Sequence, residues 1–271
     1  MPIGQPYNRL GELAVGGIAV LTRVMLGDGT PAVLRELQSG KVLSLRQQRT
    51  FRRGTQVREL LSPHPNLICS LERGAHGLRP YELIEYVEGK NLKVLMNSRA
   101  EVIRQDWPFI LSECAEALAW VHRNRFMHLD VKPENFLVQL TKSRPVIKLT
   151  DFDLALKASE NSPRPQMGTP AYMAPEQLRD KTAFPASDVF AFAILAYQLL
   201  TGRHPFPGDT PKESLRRQSS SSFIPKPPAD IVPELNPRLS QLVMAGLEKS
   251  RERRLPDMDA FLSALRACSI T

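Results

Sequence analysis

From His128 to Asn135 the chain reads HLDVKPEN, and DFD follows at Asp151 to Asp153. Residues of these types at this spacing could carry phosphoryl transfer. Asp130 can accept a proton from a hydroxyl, and Lys132 can neutralise phosphate charge. Asn135 and Asp151 offer the hard oxygen ligands that Mg²⁺ prefers. Phosphoryl transfer is mostly positioning and electrostatic stabilisation of a charge-rich transition state, so a base, a cation and metal donors make one coherent kit. Any one of these residues alone reads equally well as a turn cap. The combination carries the argument.

These segments resemble the catalytic loop and metal-binding triplet of the eukaryotic-like Ser/Thr protein kinases, especially their bacterial branch. Other stretches resemble the family in the same order. HPN at His64 to Asn66 and YELIEYVEG at Tyr81 to Gly89 are similar to the fourth strand and hinge. GTPAYMAPE at Gly168 to Glu176 is similar to the end of an activation segment, and SDVFAFAILAYQLLTGRHPFPG at Ser187 to Gly208 to the helix beyond it. The likeness runs over roughly residues 7 to 266.

The resemblance implies an α+β, bilobal protein kinase fold in a single domain spanning 1–271. A small β-rich N-lobe with one main helix would take about 7–86, and a larger helical C-lobe 87–266. It also implies Mg·ATP in the interlobe cleft, with Asp130 as base, Lys132 at the transferred phosphoryl, and Asn135 and Asp151 on the metal. Gly16 and Gly17 would approach the phosphates. Ile84 would be the gatekeeper, while Glu85 and Val87 would turn backbone groups to adenine. Phe152 would pack as core, Glu176 would pair with Arg254, and Asp188 would accept N–H groups of the catalytic loop. Lys132, with no arginine further along its loop, resembles Ser/Thr-directed rather than Tyr-directed members.

Local patterns supply the supporting elements. VLTRVML (Val20 to Leu26), then Gly27-Asp28-Gly29, then AVLREL (Ala32 to Leu37) predicts a hairpin on a DG turn. Leu43 to Leu61 predicts a helix ended by HPN. Asp106 to Arg123 predicts another, with Asp106 as cap, Pro108 in its first turn, and Ile110, Leu111, Cys114, Leu118 and Val121 along one stripe. Pro237 to Gly246 and Asp257 to Ala267 read as closing helices, after a surface loop through Ser219 to Ser222 and Pro225 to Pro233.

The small lobe departs from the family pattern. The glycine-rich loop keeps only its middle glycine, Gly16, in AVGGIA at Ala14 to Ala19. AVLR puts Arg35 where the third-strand lysine belongs, and arginine is longer, planar and not interchangeable with an ammonium. The helix glutamate falls at Gly54, or at Thr55 in the other register, with Glu59 the nearest carboxylate. These two losses read as one coupled change, since an unpaired partner has little reason to persist. Losing the pair would remove a factor of about 10²–10⁴, roughly 3–5 kcal/mol, and Arg35→Lys with Gly54→Glu is expected to restore transfer. Asp153 replaces the triplet's glycine, as an extra metal ligand or as a charge that repels ATP. Leu129 stands where many members carry the arginine that binds a phosphorylated activation segment, so phosphorylation at Ser159, Ser162 or Thr169 is not expected to switch the domain on.

The composition sets outer bounds. A net charge of +8 with 42% hydrophobic residues suits a soluble globular chain. Cys69, Cys114 and Cys268 are too scattered for a disulfide framework, which points to a reducing, cytoplasmic setting. Its longest apolar run, Val189 to Leu200, is too short for a membrane span, and MPIGQPYNRL carries no secretory pattern. Arg216, Arg217, Arg251, Arg253 and Arg254 have no interleaved aromatics, so no specific nucleic-acid role is expected. The expected partners are a nucleotide and a protein partner or substrate. The favoured reading at this level is a pseudokinase-like domain that binds Mg-ATP, transfers weakly or not at all to Ser/Thr, and acts through a partner. The alternative is an active Ser/Thr kinase using Arg35 or Arg23 for the missing lysine, and a nucleotide-free binding module fits the intact loop poorly.

Overall fold

The computed structural model describes residues 6–158 and 168–268. Two compact units emerge, one formed by Met1–Glu88 with Thr150–Asp153, the other by Gly89–Leu149 with Leu154–Thr271. The DFD triplet thus belongs to the first unit, although the chain reaches it only after a long excursion through the second.

The first unit is a five-stranded antiparallel sheet and one long helix. Its strands are β1 (Tyr7–Val15), β2 (Ala19–Leu26), β3 (Pro31–Leu37), β4 (Ser70–His76) and β5 (Arg79–Glu85), in the order β1-β2-β3-β5-β4. The predicted DG hairpin joins β2 to β3: Gly29 adopts φ +83°, and the Asp28 side chain accepts the Thr30 N–H at 2.8 Å. Alternation then sorts the strands into two faces. Ala32 and Leu34 of β3 meet Tyr81 and Leu83 of β5 in one apolar cluster with Val24 and Leu26. Arg35 and Glu82 are paired across the two strands and so share the opposite face.

Helix α1 (Leu45–Leu61) begins at Ser44, whose hydroxyl accepts the Gln47 N–H, two residues later than the predicted start. It ends where the Ser62 N–H caps on the Arg58 carbonyl and Pro63 prevents continuation. Its buried stripe is Phe51, Gly54, Thr55, Val57, Arg58 and Leu61. A glycine in mid-helix costs about 1 kcal/mol relative to alanine, and a fully buried arginine in a stripe is rarer still. Both have a reason, given below.

The second unit opens with β6 (Lys90–Asn91), α2 (Leu92–Asn97), α3 (Glu101–Gln105) and α4 (Trp107–Arg123). The predicted stripe Ile110, Leu111, Cys114, Leu118 and Val121 of α4 is fully buried. Asp106 occupies the cap position, but its side chain makes no capping bond there. Short strands β7 (Phe126–Met127), β8 (Phe136–Gln139), β9 (Val146–Leu149) and β10 (Leu156–Lys157) form a three-stranded sheet, β6-β8-β9, and a two-stranded one, β10-β7. They hold the loop from His128 to Asn135 at both ends.

Helices α5 (Pro175–Arg179), α6 (Pro185–Thr201), α7 (Pro211–Ser219), α8 (Pro237–Gly246) and α9 (Met258–Ala267) follow. Every residue from Ala186 to Tyr197 in α6 is buried, as an apolar run of that length demands. This helix stops at Thr201 on Gly202, at φ +68°, so the stretch to Gly208 does not continue it. Helix α7 was not foreseen: Thr210 caps it on the Glu213 N–H, and its polar composition hides it. Among the described residues no helix is long and apolar enough to cross a membrane.

Candidate active site

In the second unit, the loop from His128 to Asn135 is built around a buried carboxylate. Asp130 Oδ2 accepts from Lys132 Nζ at 2.6 Å and from Asn135 Nδ2 at 3.1 Å. Its Oδ1 accepts from the Thr169 N–H at 3.2 Å and hydroxyl at 3.0 Å. Lys132 Nζ also reaches Thr169 Oγ1 at 2.9 Å. The Thr169 hydroxyl therefore joins the Asp130 carboxylate to the Lys132 ammonium. Burial pushes the Asp130 carboxyl up, but Lys132, with His128 and Thr169, outweighs it and holds the group below the ordinary aspartate value. Asp130 is an ionised acceptor at neutral pH.

The loop is held from below. Asp188 on α6 accepts the His128 N–H at 2.7 Å on Oδ2 and the Leu129 N–H at 2.8 Å on Oδ1, as anticipated, and His122 Nε2 lies 3.0 Å from the same Oδ2. Leu129 sits at φ +64°, a strained choice for a non-glycine residue that this double clamp sustains. Gly168, at φ +111°, packs so closely that a Cβ would lie 3.0 Å from the Leu129 carbonyl. Glu176 and Arg254 pair in two hydrogen bonds, 2.8 and 3.1 Å, joined by Ser187 Oγ at 2.7 Å. That predicted pairing is present and buried.

In the first unit, the face carrying Arg35 and Glu82 holds a balanced set of charges. Arg58 and Arg35 are the cations, and Glu82 and Asp153 the anions. Arg58 Nη1 bonds Glu82 Oε2, Arg35 Nη2 bonds Asp153 Oδ2, and Arg35 Nη1 stands 3.7 Å from Glu82 Oε2. Thr55 Oγ1 and Ser70 Oγ each donate to Glu82 at 3.3 Å. Aromatic rings close the set: the Arg35 guanidinium lies 4.3 Å from the Phe51 centroid, and Arg58 lies 5.5 Å from that of Phe152. Burial opposes the Arg35 charge, but Asp153, Glu82 and Asp151 together raise its pKa. Burial lifts Asp153 to about 6 against the pull of Arg35, with Asp151 adding to the rise.

Several expectations change here. Asp153 is not turned to a metal: Oδ2 is held by Arg35 and Oδ1 lies against Gly54. The left-handed residue of the triplet is Asp151, at φ +62°, so Asp153 needs no tolerance of positive φ. Glu59 is no partner for Arg35; it pairs with Arg73 at 3.0 Å, half-exposed. Arg23 lies over the Tyr86 ring at 4.5 Å. Gly16 spends its N–H on the Ala19 carbonyl at 2.8 Å, closing the β1–β2 turn, so it has none to offer a phosphate. The Gly16 and Gly17 carbonyls accept from Gln38 and Lys41.

Ile84 and Val87 are buried, and Phe152 is core. The Glu85 N–H bonds the Cys69 carbonyl at 3.0 Å. Thr169, half-buried, holds its hydroxyl on Asp130 and Lys132, while Ser159 and Ser162 lie outside the described residues.

Each unit by itself offers an oxygen of the kind Mg²⁺ takes when it is bound with phosphates. Asn135 commits Nδ2 to the Asp130 carbonyl at 2.8 Å, which leaves its amide oxygen as the donor, and Asp151 supplies a carboxylate. Among the described residues there is no cluster of three or more His, Cys, Asp or Glu able to hold a metal alone. Mg²⁺ characteristically uses one or two protein oxygens and takes the rest from phosphates and water.

The fold and this loop define a protein kinase domain, and the family model for "Protein kinase domain" matches residues 7–264. The chain belongs to the protein kinase family, in its bacterial eukaryotic-like Ser/Thr branch. It is 32% identical over 213 residues to the serine/threonine-protein kinase Pkn1 of Myxococcus xanthus, covering 75% of this chain and 29% of that one. It is 33% identical over 204 residues to PknL of Mycobacterium tuberculosis, covering 74% and 50%. Against the probable kinase PknB of Lactococcus lactis it is 29% identical over 265 residues, covering 95% and 41%. The chain thus spans about half or less of the length of these curated relatives.

Residues missed in sequence are Glu82, Arg58 and the positioning hydroxyl of Thr169. Glu82 did leave a trace, as a carboxylate amid apolar residues of YELIEY.

Proposed function

We propose that this domain is an ATP-dependent protein Ser/Thr kinase in which Arg35 takes the place of the third-strand lysine. The hydrogen-bonded trio of Asp130, Lys132 and Thr169 is the observation that supports it. An ionised Asp130 would accept the proton of a substrate hydroxyl as its oxygen bonds to the γ-phosphorus and the bond to the β-phosphate oxygen breaks. Lys132 would neutralise charge on the transferring group and keep Asp130 ionised. Mg²⁺, when bound, would supply charge neutralisation at the phosphates, and Asn135 and Asp151 are the oxygens the family pattern assigns to it.

A second reading has its own observation. Arg35 already faces two carboxylates, so less of its charge is left for a nucleotide, and Gly16 is closed off. On that reading the domain holds Mg-ATP, transfers little and works through a protein partner.

A radiolabel autophosphorylation assay on wild type and Asp130→Ala decides between them, read beside thermal shift with millimolar Mg-ATP. Transfer that vanishes in the variant supports the first reading. A nucleotide shift with no Asp130-dependent label supports the second, and neither signal would remove both.

A further inference from the structure

We propose that Asp153 does the work of the missing helix glutamate, and that Arg35, Gly54 and Asp153 form one interdependent unit that positions the upper cation. This deepens the kinase reading above and rests on it.

Charge comes first. The guanidinium of Arg35 reaches Asp153 with one nitrogen and Glu82 with the other. A planar fork can span two carboxylates; a single ammonium on a shorter stem cannot do so with the same geometry. Arginine at this position is therefore matched to a pair of acids, one on β5 and one in the DFD turn.

Sterics comes second. A Cβ at Gly54 would stand 2.5 Å from Asp153 Oδ1, 2.9 Å from its Cα and 3.0 Å from its N. Two of those three atoms are backbone and cannot swing away. Any side chain at 54 would push the DFD turn off α1, and a glutamate there is incompatible with Asp153 in place. Arg53 reinforces the fit by donating from Nη2 to the Asp153 carbonyl at 2.8 Å. The carboxylate has moved from helix to turn, and the helix has given up its side chain to admit it.

Three departures that look like separate losses thus become one exchange. It also relocates control: the partner of the cation now comes from the same turn as Asp151, so displacement of that turn releases Arg35. Helix α1 contributes by contact at Gly54 and through Arg53, not through an acid of its own.

The predicted reversal changes accordingly. Arg35→Lys with Gly54→Glu, leaving Asp153, drives a glutamate into an occupied space and lowers transfer. The informative set is Asp153→Asn, Gly54→Glu, that double variant, and the triple Arg35→Lys/Gly54→Glu/Asp153→Gly, which rebuilds the family pattern. Steady-state kcat and KM are measured separately for ATP and for a peptide substrate. Asp153→Asn and Gly54→Glu should each lower kcat/KM for ATP about tenfold or more, with KM for peptide unchanged, and the triple should recover most of that loss. Unchanged kcat/KM in Asp153→Asn, or a triple no better than its worst component, would overturn the proposal.

Should wild type transfer no phosphate, the kinase reading fails but the unit is still testable. A double-mutant cycle with Arg35→Met and Asp153→Asn, read by denaturant unfolding, should show clear non-additivity. Additive effects there would refute the pairing whatever the activity.

Discussion

Asp130 and Arg35 are each an ion with a counter-ion close by, yet their surroundings differ in kind. Asp130 draws its partners from its own loop and from Thr169, and it keeps the residue types that the family pattern leads one to expect. Arg35 draws its partners from β5 and from a turn far along the chain, and Arg35, Gly54 and Asp153 all depart from the pattern. The first arrangement is fixed by local spacing, so altering one residue breaks it. The second is fixed by charge balance and available volume, which several different residue sets can satisfy. This chain departs from the family pattern where the constraint is collective.

The comparison is broken most directly at the local end. Asp130→Asn keeps the shape and removes the proton acceptor. Loss of a general base costs about 10²–10⁴ in rate, so transfer should fall to near background while the melting temperature stays close to wild type. Transfer surviving in this variant would mean that another group serves as base. At the collective end, Glu82→Gln leaves Arg58 fully buried without its counter-charge and should destabilise the fold by about 3–5 kcal/mol in denaturant titration. Replacing Glu82 and Arg58 together by Leu and Met should recover most of that loss, because apolar groups of similar volume often replace a buried pair without net cost. A double variant as unstable as the single one would show that the four charges are not balanced in the way described.

The same division explains what could be read in advance. HLDVKPEN brings Lys132 and Asn135 onto Asp130 because a loop with fixed spacing leaves little freedom, whereas the Glu176–Arg254 pair was legible because both residue types follow the family pattern. The stripe of α4 follows from periodicity alone. Glu82 was hidden because its role depends on the register of β5 against β3, which no local pattern reports. Asp153 was misread because its neighbour Gly54 is informative only through empty space. A missing side chain says nothing until one sees what occupies its volume. The helix at Pro211 to Ser219 escaped for a third reason: it is polar almost all round and carries little apolar periodicity.

The Glu176–Arg254 pair sharpens the contrast, since it is collective in partners but conventional in type. Arg254 Nη1 also donates to the Ala186 carbonyl at 2.7 Å, and Nε to that of Glu248 at 3.0 Å. Burial raises the Glu176 carboxyl, but Arg254 and Ser187 outweigh it and leave its pKa below the ordinary 4.5. A depressed folded value means that the unfolded chain binds the proton more readily. The stabilisation is therefore complete above the ordinary value and is lost as pH falls through the folded one. Glu176→Gln should be less stable than wild type by up to about 3 kcal/mol at pH 7, with the gap closing in acid, where protonated glutamate resembles glutamine. A gap that persists undiminished at low pH would locate the effect in packing instead of charge.

The smallest effect is expected at Gly16, and it tests whether the first unit has kept a phosphate-binding loop. If Gly16 served the nucleotide through its N–H or through close approach, Gly16→Ala would weaken ATP binding clearly. In the structure that N–H closes the turn on Ala19, and a Cβ on Gly16 would meet only the Ala19 carbonyl at 3.5 Å, an ordinary contact. Its φ is not in the left-handed region. The substitution should therefore change KM for ATP by no more than about twofold, within the few tenths of a kcal/mol typical of a tolerated surface change. A tenfold rise would show that the turn opens to meet phosphate, and the first unit would then share the local, spacing-fixed character of the Asp130 loop.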